Sequence, residues 1–230
     1  MELLKNTLFI NLEHRTDRLE HVTNQFEKLG IKGERFNAIK TTSGAIGCTM
    51  SHIKCLELAI ERNYDYVLIC EDDITFLDIN TFTDSITKLY NDKTINWDVL
   101  LISGNNAPPY EKTREYCVRV SNCRCGTGYI VKNHYLKKLV QNMREGLAYL
   151  IRDPTNKPKY ALDMYWNSLQ VADQWYLLTP LTVVQAPCYS DIELRNVDYK
   201  DLMLDLDKPW LFRGRSLFQG TYGSPGRPLP

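Results

Sequence analysis

Two hydrophobic periods alternate along the chain. The run Tyr66-Val67-Leu68-Ile69-Cys70 is continuous, apolar and β-branched, which predicts a strand over 65–70 buried on both faces. Similar runs predict strands over 7–12, 97–104 and 181–187, a short strand at 34–39, and a small-residue turn running into a strand over 123–131. Between them the period lengthens. Leu19, Val22, Phe26 and Leu29 share one helical face over 19–29, and Gly30 is a natural stop. Ile53, Leu56, Ala59 and Ile60 mark a helix over 48–62, and the segments 79–91, 133–143 and 160–172 also read as helical. The small-residue stretch 41–47 and the proline- and charge-rich 106–116 read as loops. Residues 205–230, rich in Pro, Gly and Arg without a period, read as an extended C-terminal appendage. Strands alternating with helices imply βαβ units and an α/β fold whose sheet is largely parallel, twisted and flanked by helices.

Composition narrows the class. With 230 residues and 43% hydrophobic content, one domain with a sizeable core is expected. Lys plus Arg and Asp plus Glu both number 28, so no global field favours nucleic acid or an anionic membrane. No segment approaches the roughly 18–20 apolar residues of a membrane helix. The opening "MELLKNTLFINLEHR" does not read as a signal peptide, because an acid comes second and the apolar stretch is brief. Seven cysteines without a secretory signal are expected to be mostly reduced thiols in the cytoplasm. The pattern leaves the oligomeric state open, a homo-oligomer included.

In open α/β sheets ligands bind beyond the carboxyl ends of the strands. Glu71, Asp72 and Asp73 follow the buried 65–70 strand at such an end. If the extended geometry persists, Glu71 and Asp73 point the same way and Asp72 the other. Two such carboxylates suit one hard divalent ion, Mn²⁺ or Mg²⁺, which would bridge to a substrate diphosphate. The bland alternative is a solvated acidic turn with one Asp capping the next helix.

Further candidates surround this triplet. Arg15 and Arg18, just after the first strand, offer planar forks for phosphate oxygens, or are solvated helix-start charges. Asn11 could meet a base through its amide. In 126–128, small residues would let the backbone of Gly128 approach a ligand while Thr127 presents a hydroxyl to a sugar, or the segment is simply a tight turn. Asp163 lies among aromatics, where burial would raise its pKa toward that of a general base; alternatively it is a helix-surface acid with Tyr160, Met164 and Trp166 in the core. Asp173 is its nearest competitor. Gln185, Ser190 and Asp191 flank the end of the last strand and could complete a donor or acceptor pocket. His52 has Cys48 and Cys55 nearby, but no regular zinc-ligand spacing, and both cysteines fit small core positions. Cys117, Cys123 and Cys125 support a disulfide or a metal only weakly.

The blocks "INLEHRTDRLEHVTNQFEKLGI", "GAIGCTMSHIKCLELAI", "YVLICEDDITF", "WDVLLISG", "CGTGYIVKNHYLKKL" and "VVQAPCYSDIELR" occur in this order. Together they resemble glycosyltransferase family 25, a group that includes bacterial lipooligosaccharide galactosyltransferases and collagen hydroxylysine galactosyltransferases. The resemblance runs from about residue 7 to about 195. It implies a GT-A fold over 1–204 and an inverting hexosyl transfer, glucose or galactose, from a UDP-sugar to a hydroxyl on a glycan or a hydroxylated side chain. It also implies a metal held by a D-x-D-like motif, for which Glu71-Asp72-Asp73 stands in, with Asp72 orienting the donor or sharing the ion. Arg15 and Arg18 would border the nucleotide pocket, and Ser51 and His52 match the family's "SH" on the donor side. Asp163 has a family counterpart, and so does the "SDI" of Ser190 and Asp191. Two alternatives remain at this point. One is a nucleotidyltransferase, although "INLEHRTDR" lacks the glycines of a phosphate loop. The other is an inactive domain that binds a glycan or a partner protein.

Overall fold

The computed structural model describes residues 2–211. The first half of the chain forms β1 (Thr7–Asn11), α1 (Thr16–Leu29), β2 (Gly33–Asn37), α2 (Gly44–Glu61), β3 (Tyr66–Glu71), β4 (Ile74–Phe76), α3 (Ile79–Asn91) and β5 (Val99–Leu101). Then come β6 (Asn105–Asn106), β7 (Tyr110–Arg114), β8 (Cys117–Val120), β9 (Cys123–Arg124), β10 (Gly128–Lys132) and α4 (Asn133–Arg152). Three short helices follow, α5 (Lys157–Tyr160), α6 (Leu162–Tyr165) and α7 (Asn167–Ala172). The rest comprises β11 (Trp175–Leu178), β12 (Val183–Gln185), β13 (Cys188–Ser190), β14 (Arg195–Val197) and α8 (Lys200–Leu204).

The main sheet has eight strands in the order β2-β1-β3-β10-β5-β11-β8-β7. The pairs β1/β2, β1/β3 and β5/β11 are parallel, while β10 and β8 run antiparallel to both of their neighbours. Six of the eight strands therefore point one way. The strand period sorts the core. Val67, Ile69, Val99, Leu101, Tyr129 and Val131 face one side with Ile53 and Leu56 of α2 and Leu136 and Leu139 of α4. Leu68, Cys70, Leu100, Ile102 and Ile130 face the other with Val22 and Phe26 of α1 and Phe82 and Ile86 of α3. Each fully buried Leu or Ile of β3 contributes about 1.5–3 kcal/mol, which is why the strand that presents the acids is held rigidly. Helix α1 ends as expected at Gly30, whose left-handed φ of 65° lets its N–H and that of Ile31 satisfy the last carbonyls.

Several elements depart from the sequence-based expectation. The supposed loop 106–116 contains β7, which pairs with β8 as a hairpin at the sheet edge. Its strand signal was masked because β7 is half-exposed and three of its five residues, Glu111, Lys112 and Arg114, are charged. The helix expected over 133–143 continues to Arg152. The helix expected over 160–172 is instead three short turns, broken where Ala161 adopts ψ 151° and where Trp166 turns inward. Of the expected appendage 205–230, only 205–211 is described; there Asn106 donates to the Leu206 carbonyl at 3.5 Å and Tyr110 hydrogen-bonds Asp207, so this part lies against the body. The remainder, 212–230, lies outside the described residues. Among the described residues no helix is long and apolar enough to cross a membrane.

Candidate active site at the carboxyl end of β3

Strand β3 ends at Glu71, and Asp72 and Asp73 form a turn before β4. The extended alternation therefore stops, and the three acids separate differently from the expectation. Asp72 and Asp73 converge on Arg18, whose Nη1 lies 2.9 Å from Asp72 Oδ1 and 3.1 Å from Asp73 Oδ2. Glu71 turns instead toward α2, where its Oε1 is 3.2 Å from His52 Nε2 and 3.8 Å from Cys48 Sγ. Asn11 at the end of β1 donates to Asp72 Oδ2 at 2.7 Å, and Gln185 of β12 donates to Asp73 Oδ2 at 2.8 Å. The β4/β12 ladder sets this last contact, pairing Gln185 with Ile74 and bringing the Ala186 N–H within 2.7 Å of the Asp73 carbonyl.

Two cavities open around the triplet, of about 550 and 310 Å³. Cys48, Glu71, Gln185 and Ser190 line both. The smaller also takes in Arg18, Ser51, His52, Asp72, Asp73 and Asp191; the larger takes in Asp163, Gly126, Arg124, Lys157 and Tyr199. Asp163 sits in the first turn of α6, and its Oδ2 accepts from the Cys125 N–H at 3.0 Å.

Burial dominates the electrostatics. It pushes Asp73 up to about 7, with the charges of Glu71 and Asp72 adding and Arg18 opposing. It raises Asp72 as well, against the pull of Arg18. Glu71 is also penalised by burial, but its hydrogen bond and attraction to His52, with Arg18 adding, bring it below the usual carboxylate value. Asp163 is raised by burial and, more weakly, by Glu71. Among the described residues, Arg18 is the arginine whose charge acts on all three carboxylates. Asp73 Oδ1 is buried without a hydrogen-bond partner among the described residues, which is costly for a carboxylate unless a cation meets it. Hard oxygen donors with excess negative charge and an orphaned buried oxygen fit a divalent ion of the Mn²⁺ or Mg²⁺ kind.

Other expected site residues are placed differently. Arg15 lines neither cavity; it is paired with Asp17 at 2.8 Å and Asp191 at 2.6 Å, so it straps the 188–191 segment to α1 rather than offering a free fork. Asn11 is fully buried and positions Asp72 and the chain after β1, where it donates to the Arg15 carbonyl at 3.0 Å; it is not available to a base. Thr127 is also fully buried, its hydroxyl 2.9 Å from Cys125 Sγ, and Gly128 is packed inside the sheet, where a Cβ would lie 2.9 Å from both Ile74 and Ile102. Neither can touch a sugar. The small residue at the wall is Gly126, where a Cβ would come within 3.1 Å of Glu71 Oε1. Ser51 lies on the wall, but its hydroxyl joins the Ile39 N–H to the Gly47 carbonyl. Asp173 is held by Tyr135 and Lys138, at 2.6 and 2.7 Å, and lines neither cavity. Cys48, expected in the core, instead faces both cavities. Its position four residues before His52 was the signal that could have placed it there, since such residues share a helix face.

A mostly parallel sheet between helix layers, with an acidic turn at the end of its central strand, has the architecture of GT-A-type glycosyltransferases. A crystal structure of a glycosyltransferase involved in glycosylating the major capsid protein of PBCV-1 shares this fold with a TM-score of 0.50 at 11% identity, covering 87% of this chain and 88% of that one. The model of glycosyltransferase family 25 (LPS biosynthesis protein) matches residues 40–155, and the chain belongs to that family. A Haemophilus influenzae protein provisionally named a glycosyltransferase is 32% identical over 109 residues, 35% of this chain and 39% of that protein. An Acanthamoeba polyphaga mimivirus protein named procollagen lysyl hydroxylase and glycosyltransferase is 22% identical over 177 residues, 60% of this chain and 20% of that protein. The matched stretch thus spans well under half of either relative. Family membership sets aside the nucleotidyltransferase alternative.

Proposed function

We propose that the protein is an inverting, metal-dependent hexosyltransferase that moves glucose or galactose from a UDP-sugar to a hydroxyl on a glycan or a hydroxylated, collagen-like side chain. The observation that carries this reading is the buried acidic turn after β3, with its orphaned Asp73 oxygen, on the boundary of two cavities of which the larger holds Asp163. The mimivirus relative, named in part for procollagen lysine, supports the acceptor class.

In this reading the uridine diphosphate lies in the smaller cavity and the acceptor enters the larger one. Asp73 would hold a divalent ion, with Asp72 orienting the donor or sharing the ion; Glu71, expected to join Asp73, turns to α2 instead. When bound, the ion offsets the charge that develops on the departing diphosphate. Arg18 bridges Asp72 and Asp73 and offsets their mutual repulsion, and Gln185 fixes the Asp73 side chain. Ser190 and Asp191 close the donor side. His52 is locked between Glu71 and Tyr129 on the wall of the smaller cavity. Asp163 accepts the proton of the acceptor hydroxyl as its oxygen attacks C1 on the face opposite the diphosphate. The C1–O bond to the nucleotide breaks, and the configuration inverts. The Cys125 N–H holds the Asp163 carboxylate in one orientation, and burial makes it basic enough to serve. The domain occupies 1–204 in this reading. A donor screen reading UDP release, with and without EDTA, tests the proposal. Metal-independent release, or no release from any UDP-sugar with glycan or hydroxylysine acceptors, would refute it.

A further inference from the structure

One cluster on the cavity wall is not used by the transfer chemistry. Cys48 and His52 project from the same face of α2 toward Glu71, and the Sγ, imidazole nitrogen and carboxylate oxygen all lie within 4.8 Å of one another. We propose that Cys48, His52 and Glu71 form a three-ligand site for a thiophilic divalent cation, zinc above all, separate from the hard-ion position at Asp73.

The two separations from the Glu71 oxygen are close to those of a tetrahedral site. Zinc bond lengths of about 2.0–2.3 Å place neighbouring N and O ligands about 3.3 Å apart, and S and O ligands about 3.5 Å apart. Here His52 Nε2 and Glu71 Oε1 are 3.2 Å apart, and Cys48 Sγ and Glu71 Oε1 3.8 Å. The outer support is also present. His52 Nδ1 lies 2.9 Å from the buried Tyr129 hydroxyl, which fixes the ring and leaves Nε2 facing Glu71. His52 and Tyr129 are both fully buried, so the site is built on a helix and a strand rather than on a loop. Cys48 and Glu71 line both cavities, which gives an ion an entry path.

The charges match too. On binding, the Cys48 S–H bond is exchanged for an S–Zn bond and the proton leaves to solvent. Glutamate and thiolate then supply two negative charges against the two positive charges of the ion, with histidine neutral. Soft sulfur ligation disfavours Mn²⁺ and Mg²⁺ here, just as the carboxylate oxygens of Asp72 and Asp73 favour them.

The test is a titration of the full chain with Co²⁺, followed by displacement with Zn²⁺. The expected result is one equivalent of cobalt with tetrahedral d–d bands and a thiolate-to-cobalt charge-transfer band, both removed by zinc. The charge-transfer band should be lost in Cys48→Ala and kept in Cys55→Ala. Tyr129→Phe should weaken zinc binding about 10–100-fold, as loss of an outer partner does. A cobalt spectrum without thiolate absorption, or one unchanged in Cys48→Ala, overturns the proposal. Peptide mapping of the unmodified protein after alkylation needs no variant: zinc should shield Cys48 and leave the half-buried Cys188 reactive, and equal labelling with and without zinc also overturns it. Manganese-assisted uptake of a UDP-sugar is a separate readout. If that uptake is present while zinc leaves Cys48 untouched, only the zinc site falls. If it is absent while zinc ligates Cys48, the transferase reading falls and the zinc site stands.

Discussion

Arg18 reaches from the first turn of α1 to Asp72, Nη1 to Oδ1, at 2.9 Å, and this contact joins the two ends of the donor site. Its other nitrogen, Nη2, touches Cys188 Sγ at 2.8 Å and the Tyr189 carbonyl at 3.0 Å, so one side chain ties α1, the acidic turn and the 188–191 segment together.

Removing that side chain leaves two buried carboxylates with no cation. Arg18→Ala should destabilise the fold by about 3–5 kcal/mol, the usual cost of breaking a buried ion pair on one side. Manganese should restore part of the loss by occupying the same field. Urea midpoints with and without Mn²⁺ check both expectations, and an unchanged midpoint contradicts the pairing.

Asp163→Asn keeps the shape of the side chain and its acceptor for the Cys125 N–H, but abolishes the base. Turnover should fall by about 10²–10⁴-fold, with UDP-sugar affinity unchanged by calorimetry. Full turnover in this variant would move the base role elsewhere.

Asp73→Asn keeps the contact with Gln185 while removing the charge at the orphaned oxygen. Divalent-ion-assisted donor binding should weaken by at least about tenfold, the equivalent of about 1.4 kcal/mol. Thermal stability should hold or rise, because burial disfavours the charged form of this group. Calorimetry of UDP-sugar with and without Mn²⁺ reads the first effect and a melting curve the second.

Asp173 stabilises the other end of the sheet. Although burial opposes its charge, Lys138 and Tyr135 bring its folded pKa below the ordinary value. A depressed carboxylate contributes stability above its unfolded pKa, about 3.9, and loses that contribution as pH falls through the lower folded value. Acid unfolding should therefore steepen below about pH 4, and Asp173→Asn should flatten that limb while lowering stability near neutrality. Denaturation midpoints at several pH values, for wild type and variant, check the sign.

Much of the architecture was readable in the residues. The run 66–70 had to be a doubly buried strand, since Val67 and Ile69 pack one face and Leu68 and Cys70 the other. Helix α3 occupies 79–91 as expected, because Asp78 caps it and its apolar face is regular. The β7 edge strand was hidden, since half-exposed strands carry charges that imitate a loop.

Alone, the sequence determined the layered α/β fold, the family, and the placement of three acids at a strand end, because period, order of blocks and charge are local properties of the chain. Only the tertiary structure decided how those acids divide. Glu71 goes to Cys48 and His52, and Asp72 and Asp73 go to Arg18 and Gln185, partners 54 to 112 residues away for the latter two. It also turned Thr127 and Gly128 inward and brought Gly126 to the wall. The reason is physical: a buried carboxylate takes whichever donor the packing of distant elements brings within about 3 Å, and no local pattern encodes that distance.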